Sequence, residues 1–140
     1  MTRDELNELS GIVLDECIRI HRELGPGLLE SVYETVLSGA LSRRGLRVAR
    51  QMPVDITYDG LMFASAFRID LLVEGVLILE IKSVERLAAL HAKQLLTYLR
   101  LTNRPLGLLL NFSGETMKSG IRRVINDHPT APSLRASAPQ

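Results

Sequence analysis

The segment that most constrains this chain is FRIDLLVEGVLILEIKSVE, residues 67–85. Two apolar runs flank Glu74-Gly75, a turn signal, and this pattern predicts a β-hairpin. Three charged residues, Asp70, Glu80 and Lys82, interrupt the runs. Glu80 and Lys82 stand two apart on one strand, so they share a face. If the loop is Glu74, Gly75 and Val76, Asp70 falls opposite Glu80, with the two Cβ atoms about 5 Å apart. A two-residue loop would slip the register by one and send Asp70 to the far face. Ile78, Leu79 and Ile81 predict a strand buried on both sides. Charge inside such a strand has to be paired or metal-bound.

Two carboxylates this close repel each other, and a low dielectric strengthens the repulsion. A divalent cation removes the conflict, and an all-oxygen donor set suits Mg²⁺ or Mn²⁺. The expected ligands are Asp70, Glu80 and the Ile81 carbonyl. Such an ion can activate water against a phosphodiester. Lys82 would orient or deprotonate that water, or neutralise charge on the phosphate. The plainer reading is a surface strand with Glu80 and Lys82 solvated.

A helix is predicted next, with Ser83 as N-cap and Glu85 in its first turn, running to about Thr102, where Asn103-Arg104-Pro105 stops it. His91, Gln94 and Tyr98 fall at i, i+3 and i+7 on one stripe. Leu90, Leu95, Leu96, Leu99 and Leu101 border it. Taken alone, Gln94 and Tyr98 read as boundary residues and His91 as exposed. A polar stripe on the helix that follows the Glu80-Ile81-Lys82 strand reads instead as facing a site, with Gln94 and Tyr98 the main candidates and His91 a lesser one.

The order Asp70, Glu80-Ile81-Lys82 and Gln94-Leu95-Leu96-Thr97-Tyr98 resembles the D…ExK…QxxxY pattern of the PD-(D/E)XK nuclease superfamily. The QxxxY element is similar to that of its exonuclease-like branch. Upstream, Gly27-Leu28-Leu29-Glu30-Ser31-Val32-Tyr33 matches GxxExxY, the signature that names a family of small proteins in this superfamily. The resemblance spans roughly residues 4–126. Ile69 stands where the superfamily's name has proline. The resemblance implies a restriction-endonuclease-like α/β core with a mixed sheet in the order ααβββαβ. It also implies a Mg²⁺- or Mn²⁺-dependent nuclease site that Glu30 reaches as an extra ligand, and a nucleic-acid substrate. The alternative is a non-catalytic nucleic-acid- or protein-binding module that retains the nuclease fold.

The rest of the chain is consistent with one α/β domain over residues 1–127. Thr2 and Glu5 make a capping box that opens a helix ending near Gly25-Pro26-Gly27. A second helix is predicted from about Leu28 to Arg44, with Glu30 in its first turn and Tyr33 on the same face. Strands are expected at about 47–58, 63–73, 76–82 and 106–112. By the handedness of strand–helix–strand crossovers, the last strand should run parallel to the one carrying Glu80. Residues 128–140, HPTAPSLRASAPQ, have little to bury and read as a disordered tail.

Formal net charge is only +1, with no Trp, three Tyr and three Phe. This argues against a dedicated single-strand binder built on stacking platforms. Arg43, Arg44, Arg47 and Arg50 form one basic cluster, and Lys118, Arg122 and Arg123 another. Arg43, Arg44, Lys118, Arg122 and Arg123 are the candidate phosphate contacts, with solvated surface as the plainer reading. A footprint this small favours a homodimer or a partner protein. The single cysteine, Cys17, lies on an amphipathic helix and reads as core; it suits a reducing, cytoplasmic setting. The N-terminus is charged rather than signal-like, and no apolar run approaches membrane-spanning length. The three histidines and one cysteine are too far apart in sequence for a zinc-type cluster.

Overall fold

The hairpin register settles the architecture. In the computed structural model, which describes residues 1–127 and the backbone of residues 134–137, Val73 pairs with Leu77, Leu72 with Ile78 and Leu71 with Leu79. The loop is therefore the three residues Glu74, Gly75 and Val76. Glu74 and Gly75 both take positive φ, 54° and 67°, and the glycine bears this without the penalty a Cβ brings. One step further along the same register, Asp70 faces Glu80.

Helix α1 (Arg3–Leu24) opens with the capping box, Thr2 and Glu5 bonding each other's backbone N–H. Helix α2 (Glu30–Arg43) follows. The meander β1 (Val48–Tyr58), β2 (Leu61–Val73) and β3 (Leu77–Lys82) comes next, then α3 (Ala89–Thr102) and β4 (Leu106–Asn111). A short 3₁₀ turn at Lys118–Gly120 leads into β5 (Ile121–Ile125), and β6 (Leu134–Ser137) lies beyond. The six-stranded mixed sheet has the order β5-β4-β3-β2-β1-β6, with β3 and β4 parallel and the other pairs antiparallel. The ααβββαβ succession expected of a restriction-endonuclease-like fold is present, with two short edge strands added. Of the segment read as a disordered tail, residues 128–133 and 138–140 lie outside the described residues, and Leu134–Ser137 pair with the outer edge of β1.

The two sheet faces are built by alternation. Leu71, Val73, Leu77, Leu79, Ile81, Leu106, Leu108 and Leu110 face α1 and α2, where Val13, Cys17, Tyr33, Leu37 and Leu41 meet them. Ile78, Leu72 and Leu109 face the other way, onto Leu95 and Leu99 of α3. Cys17 is fully buried, and loss of hydration pushes its thiol well above the usual range. At Gln51 and Asp70 the β1–β2 ribbon changes face. Residues 71 and 73 belong to the α1/α2 side, whereas Ile69, Met52 and Val54 belong to the α3 side. Gln51 stands at that change with φ 48°.

One expected boundary differs. Ser83 does not cap α3, which begins six residues later with Ala88 as its N-cap. Ser83 is committed to tertiary partners: its N–H donates to Glu30 and its hydroxyl to the Leu28 carbonyl. The segment 83–88 therefore crosses from β3 to α3 as irregular chain. Asn111 clamps it, with the side-chain amide bonding both the N–H and the carbonyl of Val84.

Candidate active site

Beyond Leu71 and Leu79 the strands β2 and β3 stop exchanging backbone hydrogen bonds, and the two carboxylates fill the gap. The Asp70 N–H donates to Glu80 Oε2 at 3.0 Å, and the Ile81 N–H donates to Asp70 Oδ2 at 2.8 Å. Each strand thus satisfies the other's backbone with a side chain, so no buried N–H is orphaned where the ladder ends. Glu80 is only 7% exposed and Asp70 is half-buried.

Burial costs both groups. Loss of hydration, then the charge of Asp70, pushes the Glu80 carboxyl up to about 8, against opposing help from the Asp70 N–H and the Lys82 ammonium. Asp70 is also raised, first by burial, while the Ile81 N–H pulls the other way. Lys82, two residues after Glu80, is half-buried and favours the charged form of both carboxylates. This pair holds more negative charge than its surroundings can stabilise, and Mg²⁺ or Mn²⁺ is the chemistry its hard oxygen donors fit. Among the described residues no set of three His, Cys, Asp or Glu side chains converges as a metal cluster. The oxygen donors that meet at the gap are those of the two carboxylates, Asp70 and Glu80.

Helix α3 brings Tyr98 and Gln94 to the same place. The Tyr98 ring stacks on Phe67 of β2, centroids 4.0 Å apart and planes within 4°. Burial, then the charges of Glu80 and Asp70, raise its hydroxyl pKa, and the adjacent Gln94 amide acts the other way. His91 serves the helix rather than the site. Its Nδ1 accepts from the Ala88 N–H at 3.0 Å and so caps the start of α3.

The GxxExxY residues build the support rather than the gap itself. Gly27 sits at φ 93°, a conformation that L side chains rarely adopt. Tyr33 is fully buried, stacks on Phe112, donates its hydroxyl proton to the Gly25 carbonyl and accepts from the Leu28 N–H. Glu30 Oε2 accepts from the Ser83 N–H at 3.0 Å, and the Ser83 hydroxyl also meets Ser113. The motif thereby ties the N-terminus of α2 to the residue directly after Lys82. A surface cavity of about 520 Å³ opens there, lined by Gly27, Leu28, Glu30, Ser83 and Ser113.

A family model described as the PD-(D/E)XK nuclease superfamily matches residues 7–124. The chain belongs to the PD-(D/E)XK nuclease superfamily. No curated protein and no solved structure matches it. Asp70 of β2 meets Glu80 of β3 where their backbone pairing ends, and Lys82 closes β3 two residues on. Nucleases of the superfamily generally use divalent metal ions, and their substrates are nucleic acids.

Two neighbours of the site lie outside the residues expected from the sequence. Glu34, one turn after Glu30, is 7% exposed, and its charge raises both Asp70 and Glu80. Gln51 donates from Nε2 to Glu34 Oε1 at 2.6 Å and to Asp70 Oδ1 at 3.2 Å. For Glu34 a signal existed: it lies at i−3 and i−7 from the core residues Leu37 and Leu41, hence on the buried face. Nothing in the alternation of β1 marks Gln51.

The arginine clusters disperse. Arg44 pairs with Glu16, Arg47 with Glu74 and Arg50 with Glu34, while Arg43 stays exposed. Arg122 and Arg123 are consecutive on β5 and point to opposite faces, Arg123 reaching Asn7 of α1. Lys118 is exposed on the 3₁₀ turn. Among the described residues no helix is long and apolar enough to cross a membrane.

Proposed function

We propose that this protein is a divalent-metal-dependent nuclease of the GxxExxY group, hydrolysing phosphodiester bonds of DNA or RNA. The observation that carries the reading is the exchange of carboxylates and backbone N–H groups between Asp70 and the Glu80-Ile81 pair, with Lys82 alongside. Asp70, Glu80 and the Ile81 carbonyl would hold Mg²⁺ or Mn²⁺. When bound, such an ion supplies Lewis acidity toward water and toward the scissile phosphate.

The chain's own residues supply the rest. Asp70 is held in orientation by the Ile81 N–H, so its placement owes nothing to the ligand. Lys82 places an ammonium beside the reacting phosphate, where it offsets developing charge and orients the attacking water. A cation held there would favour the ionised form of Glu80, against the burial that raises its carboxyl. Tyr98, with Gln94 beside its hydroxyl, offers a hydrogen-bond donor to a phosphate oxygen or to water at the site. Glu30 supports the reading of GxxExxY as a positioning motif, since it grips Ser83 next to Lys82. Of the candidate phosphate contacts, Arg43, Lys118 and Arg122 are exposed without an acidic partner among the described residues, and a homodimer or partner protein would widen that footprint.

The test is a panel of labelled single- and double-stranded DNA and RNA incubated with the protein in Mg²⁺, Mn²⁺ or EDTA. Cleavage of at least one substrate, abolished by EDTA, is expected. Binding without cleavage in either metal would support the non-catalytic module instead.

A further inference from the structure

Gln51 touches two carboxylates at the site without carrying a charge. Its Nε2 has two hydrogens, and the two acceptors use both: Glu34 Oε1 at 2.6 Å and Asp70 Oδ1 at 3.2 Å. The two acceptors fix the amide's orientation, because its oxygen would be repelled by either carboxylate. The remaining oxygen of each carboxylate is bound elsewhere. Asp70 Oδ2 takes the Ile81 N–H, and Glu34 Oε2 takes Arg50 at 3.2 Å. Asp70 is therefore held at both oxygens, which fixes its carboxylate plane and leaves one lone pair per oxygen.

The backbone shows what holds this arrangement. Gln51 has φ 48°, a conformation unfavourable for a residue with a Cβ. It sits where the β1–β2 ribbon changes face, opposite Asp70 by the pairing of Met52 with Ile69 and Arg50 with Leu71. Its side chain is largely exposed, so core packing does not account for it. A neutral donor at this point orders Asp70 without setting a positive charge beside it, while Glu34 is already paired with Arg50. A lysine or arginine in its place would add that charge.

We propose that Gln51 is a positioning residue of the site, its amide bridging Asp70 to Glu34 and so fixing the orientation of Asp70 toward the cation. This inference rests on the reading of Asp70 and Glu80 as cation ligands. The test is calorimetric titration of Mn²⁺, and the electron paramagnetic resonance spectrum of the bound ion, for wild type, Gln51→Gly and Gln51→Asn. Glycine removes the amide and relieves the backbone; asparagine tolerates positive φ but is one methylene too short to span both acceptors. Both variants should melt within a few degrees of wild type, and Mn²⁺ affinity should fall by about ten-fold or more, with an altered spectrum. Wild-type affinity and spectrum in either folded variant would overturn the role of Gln51 and leave the cation site standing. A wild-type protein that does not bind Mn²⁺ would overturn the site reading and this inference with it.

Discussion

Glu80 is the group most at odds with its surroundings, and replacing it with glutamine should make that visible as stability. Its carboxyl is pushed from 4.5 up to about 8 by burial and by Asp70. A raised acid in the folded state holds a proton that the unfolded chain releases between those values. Its contribution is therefore fully present below pH 4.5 and is lost as pH rises through about 8. At about 1.4 kcal/mol per unit, that interval sets a ceiling of about 5 kcal/mol. Glu80→Gln keeps the volume and an oxygen to accept the Asp70 N–H but cannot ionise. In EDTA, melting curves of the two proteins should converge near pH 5 and diverge toward pH 8, with the variant the more stable. Even about 2 kcal/mol of the ceiling would separate the midpoints by about 6–8 °C in a chain of this size. Mg²⁺ at pH 8 should narrow the gap by stabilising wild type alone, since an ion that binds the native state raises its stability by mass action. Melting curves that stay parallel from pH 5 to 8 would refute the assignment of Glu80 as a strained, cation-seeking carboxylate.

Three further outcomes follow from the same geometry. Lys82→Ala should leave the melting temperature and Mn²⁺ binding in place while cleavage falls about a hundred-fold or more, and Lys82→Arg should not restore it; full activity in the alanine variant would place the chemistry elsewhere. Tyr33→Phe leaves the Gly25 carbonyl and the Leu28 N–H without their partner, so chemical denaturation should show a loss of about 1–3 kcal/mol. Gly120→Ala would drive a Cβ into the Asn111 carbonyl oxygen; thermal melts should show a loss of about 2–3 kcal/mol or more, because backbone rather than a flexible side chain must move.

The sequence already carried the hairpin that matters. Glu74-Gly75 between two apolar runs specified the turn, and the burial of Ile78, Leu79 and Ile81 on both faces followed from their continuity. Once the loop has three residues, the meeting of Asp70 with Glu80 is a matter of register. The parallel pairing of β3 and β4 was likewise legible from the intervening helix. What escaped the sequence depends on contacts distant along the chain. Ser83 looks like a helix cap in isolation, but Glu30, Leu28 and Ser113 claim its polar groups, so the helix starts later. Arg44, Arg47 and Arg50 look like a basic patch until Glu16, Glu74 and Glu34 arrive from other elements to pair with them. Glu34 was readable from its helical phase with Leu37 and Leu41. Gln51 was not, because a change of face within a β-ribbon leaves no mark on the residue pattern.

The account stands most directly on whether this site cuts a phosphodiester. Wild type and Asp70→Ala, purified in parallel by the same procedure, should be assayed in Mg²⁺ on the best substrate of the nucleic-acid panel. Parallel purification gives both samples the same trace of contaminating nuclease. Cleavage by wild type and none above background by the variant is the expected result. Equal cleavage by the two proteins would contradict it and remove Asp70 from the chemistry.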